Sequence, residues 1–259
     1  MPQNENVFFS ATARAAAWRR RALSRLVHRG RSWVREAGAV TAQRPGPYRF
    51  RALGPGTRLA FPQGTVFGEH WISLGEHCMI GEQVTLTVGL LPADPAEVDY
   101  GPRPIVSIGD GVVIGRDSHV VALAPIVIAD KVFCAPNVYV TSTNHAYHDP
   151  DRPVGEQWPS AEPVEIGYGS WLGVNSVVLP GTRIGRGVVV AAGSVVRGEV
   201  PDHCVVAGAP AKVVRRWDPV DGWQPPLTAP APAPLPEDLT PRQLLDLLDV
   251  NELGQRART

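Results

Sequence analysis

"IGYGSWLGVNSVVLPGTRIGRGVVVAAGSVV", residues 166–196, places an aliphatic residue at every sixth position: Ile166, Leu172, Val178, Ile184, Val190 and Val196. Working outward, the same spacing gives Leu53, Leu59 and Thr65; Leu74, Ile80 and Leu86; Ile108, Ile114 and Val120; and Ile128, Cys134 and Val140. Of these 18 positions, 16 are Leu, Ile or Val, and the next residue is Gly in eight cases and Ala in four. A period of six suits no single regular element. On an α-helix, at about 100° per residue, six steps turn through about 240°, so the members face three directions and make no stripe. In one long strand they would all face one side, but the intervening Gly, Asp, Asn and Ser break strands.

A chain that turns a corner every sixth residue satisfies both constraints. Three sides close one triangular coil, and coils stack by parallel pairing in register. The aliphatic residue points inward, and the small residue after it fits a crowded corner. The expected fold class is all-β: a parallel β-helix of about six triangular coils, with short helical N- and C-terminal appendages. The repeat pauses at 66–73, 87–107 and 141–165, which reads as three excursions from the coil.

Length and composition narrow the function. A chain of 259 residues can bury a substantial core. Its formal net charge of zero gives no electrostatic case for nucleic acid. Cys78, Cys134 and Cys204 are too few and too scattered for a disulfide framework or a zinc cluster, so no metal is expected and a reducing cytoplasm fits. No apolar run approaches the ~18 residues of a membrane span, and no signal-peptide core precedes the repeat.

Charge is nonetheless uneven: residues 14–35 carry eight arginines and no acid. Trp18, Ala22, Leu23, Leu26, Val27, Trp33 and Val34 fall at roughly helical spacing there, with Gly30 as an interruption. The segment reads either as helices capping the first coil or as a basic amphipathic surface on the inner face of an anionic membrane. A short, Ala-rich apolar face favours the cap. The expected organisation is a basic, helical N-terminal cap at 1–50, a β-helix domain at 51–217, a Pro/Ala-rich linker at 218–238 and an amphipathic C-terminal helix at 239–259. Thr240, Pro241, Gln243 and Gly254 supply that last helix's start and stop signals.

The longest pause, "TSTNHAYHDPDRPVGEQWPSAEPVEIG" at 141–167, holds His145 and His148 among Asp149, Asp151 and Glu156. A loop thrown from a rigid solenoid is a natural place for a site, and histidine, with an ordinary pKa of ~6.5, suits general-base work near neutrality.

Two stretches, "IVIADKVFCAPNVYVTSTNH" and "IGYGSWLGVNSVVLPGTRIGRGVVVAAGSVVRGEVPDHCVVAGAPAKVVRRW", resemble the hexapeptide-repeat acyltransferases, in particular the galactoside and maltose O-acetyltransferase branch. The resemblance covers residues 105–216 and implies a left-handed winding of the coil. It implies a homotrimer with sites between adjacent prisms, acetyl-CoA or another acyl-CoA as co-substrate, and a sugar or glycoconjugate acceptor. Thr143-Asn144-His145, downstream of Ala135-Pro136-Asn137, matches the motif whose histidine is the catalytic base, which sets His145 ahead of His148. Asp149 and Glu156 are candidates to orient that base, or else solvated loop acids. The register of "SWLGV" assigns the oxyanion to the backbone N–H of Val174 and places Trp171 against the pantetheine, the acceptor or a neighbouring subunit. Family CoA positions fall on Trp171, Val174, Ala192, Arg197, Lys212 and Arg215. Two departures stand out: Arg197-Gly198 replaces the branch's Thr-Lys, and "HVVALAP" at 119–125 lacks the Asn and Asp that hold galactoside hydroxyls.

The expected activity is acyl-CoA-dependent O-acylation of a sugar, polysaccharide or glycoconjugate hydroxyl. The alternatives from other classes are a non-catalytic β-helix scaffold and a γ-carbonic-anhydrase-like metalloenzyme. The latter needs two histidines five residues apart, a spacing this sequence does not contain.

Overall fold

The computed structural model describes residues 11–90 and 101–228, with side chains from Trp18 onward. The proposed C-terminal helix at 239–259, most of the linker before it and the middle of the 87–107 excursion lie outside the described residues.

From Ala52 the strands pass in rotation through three sheets. Ala52–Leu53, Arg58–Leu59 and Val66–Phe67 start the first, second and third faces of a triangular prism, and Ile72–Leu74, Met79–Ile80 and Thr85–Val88 pair in parallel on top of them. The register along the second face runs Leu59, Ile80, Ile114, Cys134, Leu172, Val190, Val206, one inward side chain on the next. Every one of these is buried, as are their counterparts on the other two faces above the first coil. One position of the repeat is corrected. Thr65 is exposed, and Val66 pairs with Leu86, because the stretch from Leu59 to the next inward residue is one residue longer than the rest.

The corners explain the small residue after each aliphatic. A Cβ on Gly81 would stand 2.5 Å from the Arg116 nitrogen of the next coil, and one on Gly173 would stand 2.6 Å from that of Ala192. Coil-to-coil contact, not backbone freedom, is the reason. Freedom is needed two residues later, where Asp117, Asn137 and Asn175 turn the chain at φ of 58–60°, the left-handed region that Asn and Asp tolerate best.

Corner hydroxyls do a second job that periodicity did not reveal. Buried Ser118 donates to the Ala135 carbonyl at 3.3 Å and accepts from the Val138 N–H at 3.1 Å; Ser170 does the same with Gly185 and Val188 at 2.9 and 3.0 Å. Each bridges two coils and leaves no buried polar atom of its own unpaired.

Both ends differ from the expected boundaries. Residues Ala11–Ala37 form one continuous helix, α1, which runs through Gly30 without interruption. It does not cap the coil with its apolar side chains, since Leu23, Leu26, Val27 and Trp33 are exposed. The cap is instead the segment after it: Val40–Thr41 pairs antiparallel with Arg58–Leu59, and Tyr48 and Phe50 pack against the core. An edge strand is covered most cheaply by another strand, whose N–H and C=O groups match its own. At the far end the domain continues past 217. Ala211–Asp218 pairs back on Cys204–Gly208, and Gly222–Gln224 pairs on it in turn with Trp223 edge-on to Trp217 at 5.7 Å. Cutting the chain after Trp217 would therefore remove part of the sheet.

The three thiols are buried in this core, and burial pushes Cys134 up to about 12 and raises Cys78 and Cys204 as well. Because the thiolate is the reactive form, native protein at pH 8 should resist iodoacetamide while denatured protein takes up three equivalents. Rapid labelling of the native chain, counted by intact mass, would contradict this packing.

Candidate active site

Every excursion leaves the prism at the same edge, where the third face hands over to the first. There the chain departs after Val66–Phe67, Thr85–Val88, His119–Ala122 and Tyr139–Thr141. The longest departure carries His145. Its root is fixed by Ser142, whose fully buried hydroxyl accepts from the N–H groups of Leu123 and Ala124 at 3.1 and 3.0 Å and donates to the Ala124 carbonyl at 2.7 Å. Just beyond, Thr143–Asn144 pairs antiparallel with Ser160–Ala161, so the loop leaves and returns as a two-stranded stem.

His145 follows that stem directly and is exposed. Among the described residues no side chain bonds to its imidazole, and neither Asp149 nor Glu156 orients it. Asp149 is occupied in its own turn: its carboxylate accepts from the Asp151 N–H at 3.0 Å. Gln157 clamps the same turn, accepting from the Asp149 N–H at 3.1 Å and donating to the carbonyls of Asp149 and Arg152 at 2.9 Å each. Glu156 sits in a short 3-10 turn, Val154–Glu156, with its side chain in solvent. His148 stacks on Tyr147 at 5.9 Å and 8° between planes. With Trp158 exposed nearby in sequence, the loop presents two outward aromatic rings. Ser142 and Gln157 are the residues the sequence reading missed; the only signal for them was their place at the mouth and in the middle of a titratable loop.

The expected oxyanion position lies elsewhere on the prism. Val174 turns the chain from the second face to the third, directly after Trp171–Leu172. Its carbonyl accepts from the Gly193 N–H at 2.9 Å, and its own N–H has no acceptor among the described residues. Ala192, one coil on, likewise keeps a free N–H, as do Glu82 and Arg116 at the same corner. The open amide is thus a property of this corner. Corners between the first and second faces close theirs with carboxylates: Asp110, Asp130 and Asp202 accept from the N–H groups of Glu76, Asp110 and Arg186 at 2.8–2.9 Å.

The structure therefore brings Val174, Ala192 and Trp171 together and keeps His145 at another edge. Arg197 lies at His145's edge, after Val195–Val196, and is exposed. Lys212 and Arg215 lie on Ala211–Asp218 at the end of the second face, opposite Ala207 and Val205. One guanidinium nitrogen of Arg215 is buried with no hydrogen-bond partner among the described residues, a costly arrangement unless another group supplies one.

The three outer faces differ in chemistry. Outward residues of the second face run Met79, Val113, Phe133, Trp171, Val189, Val205 in direct register. Those of the third run Thr85, His119, Tyr139, Val177, Val195, with His119 and Tyr139 rings 5.8 Å apart. Those of the first run Ser73, Ser107, Val127, Glu165, Arg183, Glu199. The second face is apolar from Met79 onward, the third mixes two valines with Thr85, His119 and Tyr139, and the first is polar. Met79, Phe133 and Trp171 are each more than two-fifths exposed in the single chain, which a solvated face would not favour.

Comparison with known proteins agrees with this geometry. Residues 163–198 match the family model "Bacterial transferase hexapeptide (six repeats)" and residues 105–142 match "Hexapeptide repeat of succinyl-transferase". The chain is 34% identical over 145 residues to the "Putative lipopolysaccharide biosynthesis O-acetyl transferase WbbJ" of Escherichia coli, covering 53% of this chain and 71% of that one. Over 107 residues it is 43% identical to a "Probable acetyltransferase" of Mycobacterium tuberculosis, covering 41% of this chain and 36% of that one. Against the galactoside O-acetyltransferase of Escherichia coli it is 35% identical over 120 residues, 44% of this chain and 58% of the other. The matches thus span from about a third to about seven-tenths of these relatives' lengths. Among solved structures, AntD, an N-acyltransferase from Bacillus cereus in complex with dTDP and Coenzyme A, superposes with a TM-score of 0.52 at 17% identity, covering 66% of this chain and 86% of that one, which shows the shared fold. With a three-sided parallel coil, the repeat and a relative matched over most of its length, the chain belongs to the hexapeptide-repeat acetyltransferase family.

Proposed function

We propose that the protein transfers an acetyl or other short acyl group from acyl-CoA to a hydroxyl of a sugar, polysaccharide or glycoconjugate, at a site completed between two subunits of a homotrimer. The left-handed sense of the coil, which the family resemblance implies, and its count of about six turns belong to the same proposal. The observation that carries the reading is the separation of His145 from Val174. Among the described residues of one protomer, an unbonded imidazole stands at the third-to-first edge and open amides stand at the second-to-third edge. A base and an oxyanion donor on different edges can share a substrate only if a second prism packs alongside, and the apolar second face, with Met79, Phe133 and Trp171 exposed, supplies a surface for that packing.

The chemistry then follows. His145 removes the acceptor hydroxyl proton, and the oxygen attacks the thioester carbonyl carbon. The negative charge passes to the carbonyl oxygen, where the Val174 N–H stabilises it. Collapse of the tetrahedral intermediate breaks the C–S bond, and the imidazolium returns the proton to the departing CoA sulfur. The free N–H of Ala192 continues the line of donors that an extended pantetheine amide would use. Lys212, Arg215 and Arg197 are the cations for CoA phosphates, and the buried unpaired nitrogen of Arg215 supports that role. The relatives named for galactoside and lipopolysaccharide O-acetylation support a glycan acceptor. Asp149 accepts a backbone N–H within its own turn, which supports reading it as a loop acid over an orienting carboxylate.

His145→Ala should lower turnover ~10²–10⁴-fold with little change in the KM for acyl-CoA, since the imidazole meets the acceptor proton and not the phosphates. His148→Ala, which removes only a ring stacked on Tyr147, should cost far less. The opposite ranking in steady-state kinetics would reject the assignment of the base. Replacing Lys212 and Arg215 together by Ala should raise that KM, most at low salt where phosphate contacts are least screened. An unchanged KM would move the cofactor elsewhere. Native mass spectrometry should find three chains, and Phe133→Glu, a charge set in the middle of the apolar second face, should yield monomers that remain folded but inactive. A wild-type monomer at micromolar concentration would contradict the shared site.

A further inference from the structure

Helix α1 is amphipathic in a way that none of the described residues uses. At about 100° per residue, Ala22, Trp33, Leu26, Gly30, Leu23, Val34 and Val27 fall within an arc of about 140° that Arg19 alone enters. Arg20, Arg21, Arg25, Arg29, Arg31 and Arg35 occupy the remainder, and no acid lies between Trp18 and Arg35. Leu23, Leu26, Val27 and Trp33 are each 59–70% exposed, so among the described residues this part of the apolar arc is left uncovered.

The helix is nonetheless held at its foot. Arg35 pairs with Glu82, Glu36 bridges Arg44 and Arg58 at 3.1 and 2.8 Å, and Val34 lines an open hollow with Phe61 and Pro62. The two arginines hold the Glu36 carboxyl below its ordinary range, so this clasp is intact at neutral pH and is lost as pH falls. A rigid foot and a free shaft describe an arm that presents one surface away from the coil.

From this we infer that α1 lies along an anionic lipid surface, with the Leu23–Leu26–Val27–Trp33 arc in the headgroup region and the arginines against lipid phosphates. Charge complementarity selects the occupant. Seven arginines from Arg19 to Arg35 would repel a second copy of the same helix, whereas each gains near a negative leaflet. The helix is not long and apolar enough to cross a membrane, so it lies on the surface and does not span it. The chemistry shared by acidic phospholipid headgroups is what it recognises. The prism would then work beside the bilayer, where a lipid-borne acceptor could reach the loop edge.

Full-length protein should cosediment with vesicles of phosphatidylcholine and phosphatidylglycerol in a two-to-one ratio and not with phosphatidylcholine alone, and added salt should weaken the binding. Leu26→Asp with Val27→Asp, and separately Arg20→Glu with Arg25→Glu, should each lower the partition coefficient at least about tenfold. Neither pair touches the coil, so circular dichroism and acyl-CoA hydrolysis should be unchanged, which keeps the outcome separate from the acyltransferase reading. Equal sedimentation with both vesicle types, or binding undiminished by both pairs, would overturn the inference. It would equally fall if the Leu26→Asp, Val27→Asp protein lost native mass while keeping vesicle binding, for the arc would then be a contact between chains.

Discussion

Stacking of one inward aliphatic side chain on the next is the interaction on which the rest of this molecule depends. Ile114 rests between Ile80 and Cys134, and Leu172 between Cys134 and Val190, each in parallel register with its neighbours. Such a column tolerates no free space at the corners, which is why Gly81 and Gly173 stand where a Cβ would strike the backbone of the adjoining coil. It also leaves corner amides and carbonyls at risk of burial without partners. Ser118 and Ser170 answer that from inside, and Asp110, Asp130 and Asp202 from outside.

A column built this way leaves little room for chemistry on the faces themselves. A face residue points either into the packed interior or straight out, and neither direction lets one imidazole reach two substrates. The chain responds by leaving the prism at one edge, with Ser142 anchoring the departure, and by leaving amides open at another. On the proposed function the site is thereby divided between edges, and the apolar second face is the surface that would reunite it in a neighbouring copy. The polar first face, with Glu165, Arg183 and Glu199 in register, is suited to water.

Net neutrality hides a second division. Arginines collected on α1 are balanced by acids spread over the remaining chain, so the molecule carries a basic arm on an acidic body. Among the described residues the arm is tied down at its last turns, through Arg35 and Glu36. The same helix could not both cap the coil and present this surface. Val40–Thr41, Tyr48 and Phe50 relieve it of the first task.

Much of the fold was legible in the sequence because period and side-chain size are local properties. A six-residue spacing with a small follower admits one economical coil, and the pauses at 66–73, 87–107 and 141–165 marked where it would open. The Thr143-Asn144-His145 match carried a candidate base in the same way. What local pattern could not decide was anything set by contact at a distance. An extra residue after Leu59 moved the inward position from Thr65 to Val66, and only pairing with Leu86 reveals it. Gly30 stayed helical because its neighbours on α1 supply the hydrogen bonds, whatever its own preference. Asp149 was drawn into a turn with Asp151 and Gln157, which no spacing predicts. The edges that separate His145 from Val174, and the one face left apolar, exist only once the coil is closed, since a strand's outward side chains form a surface only when stacked on those of other coils.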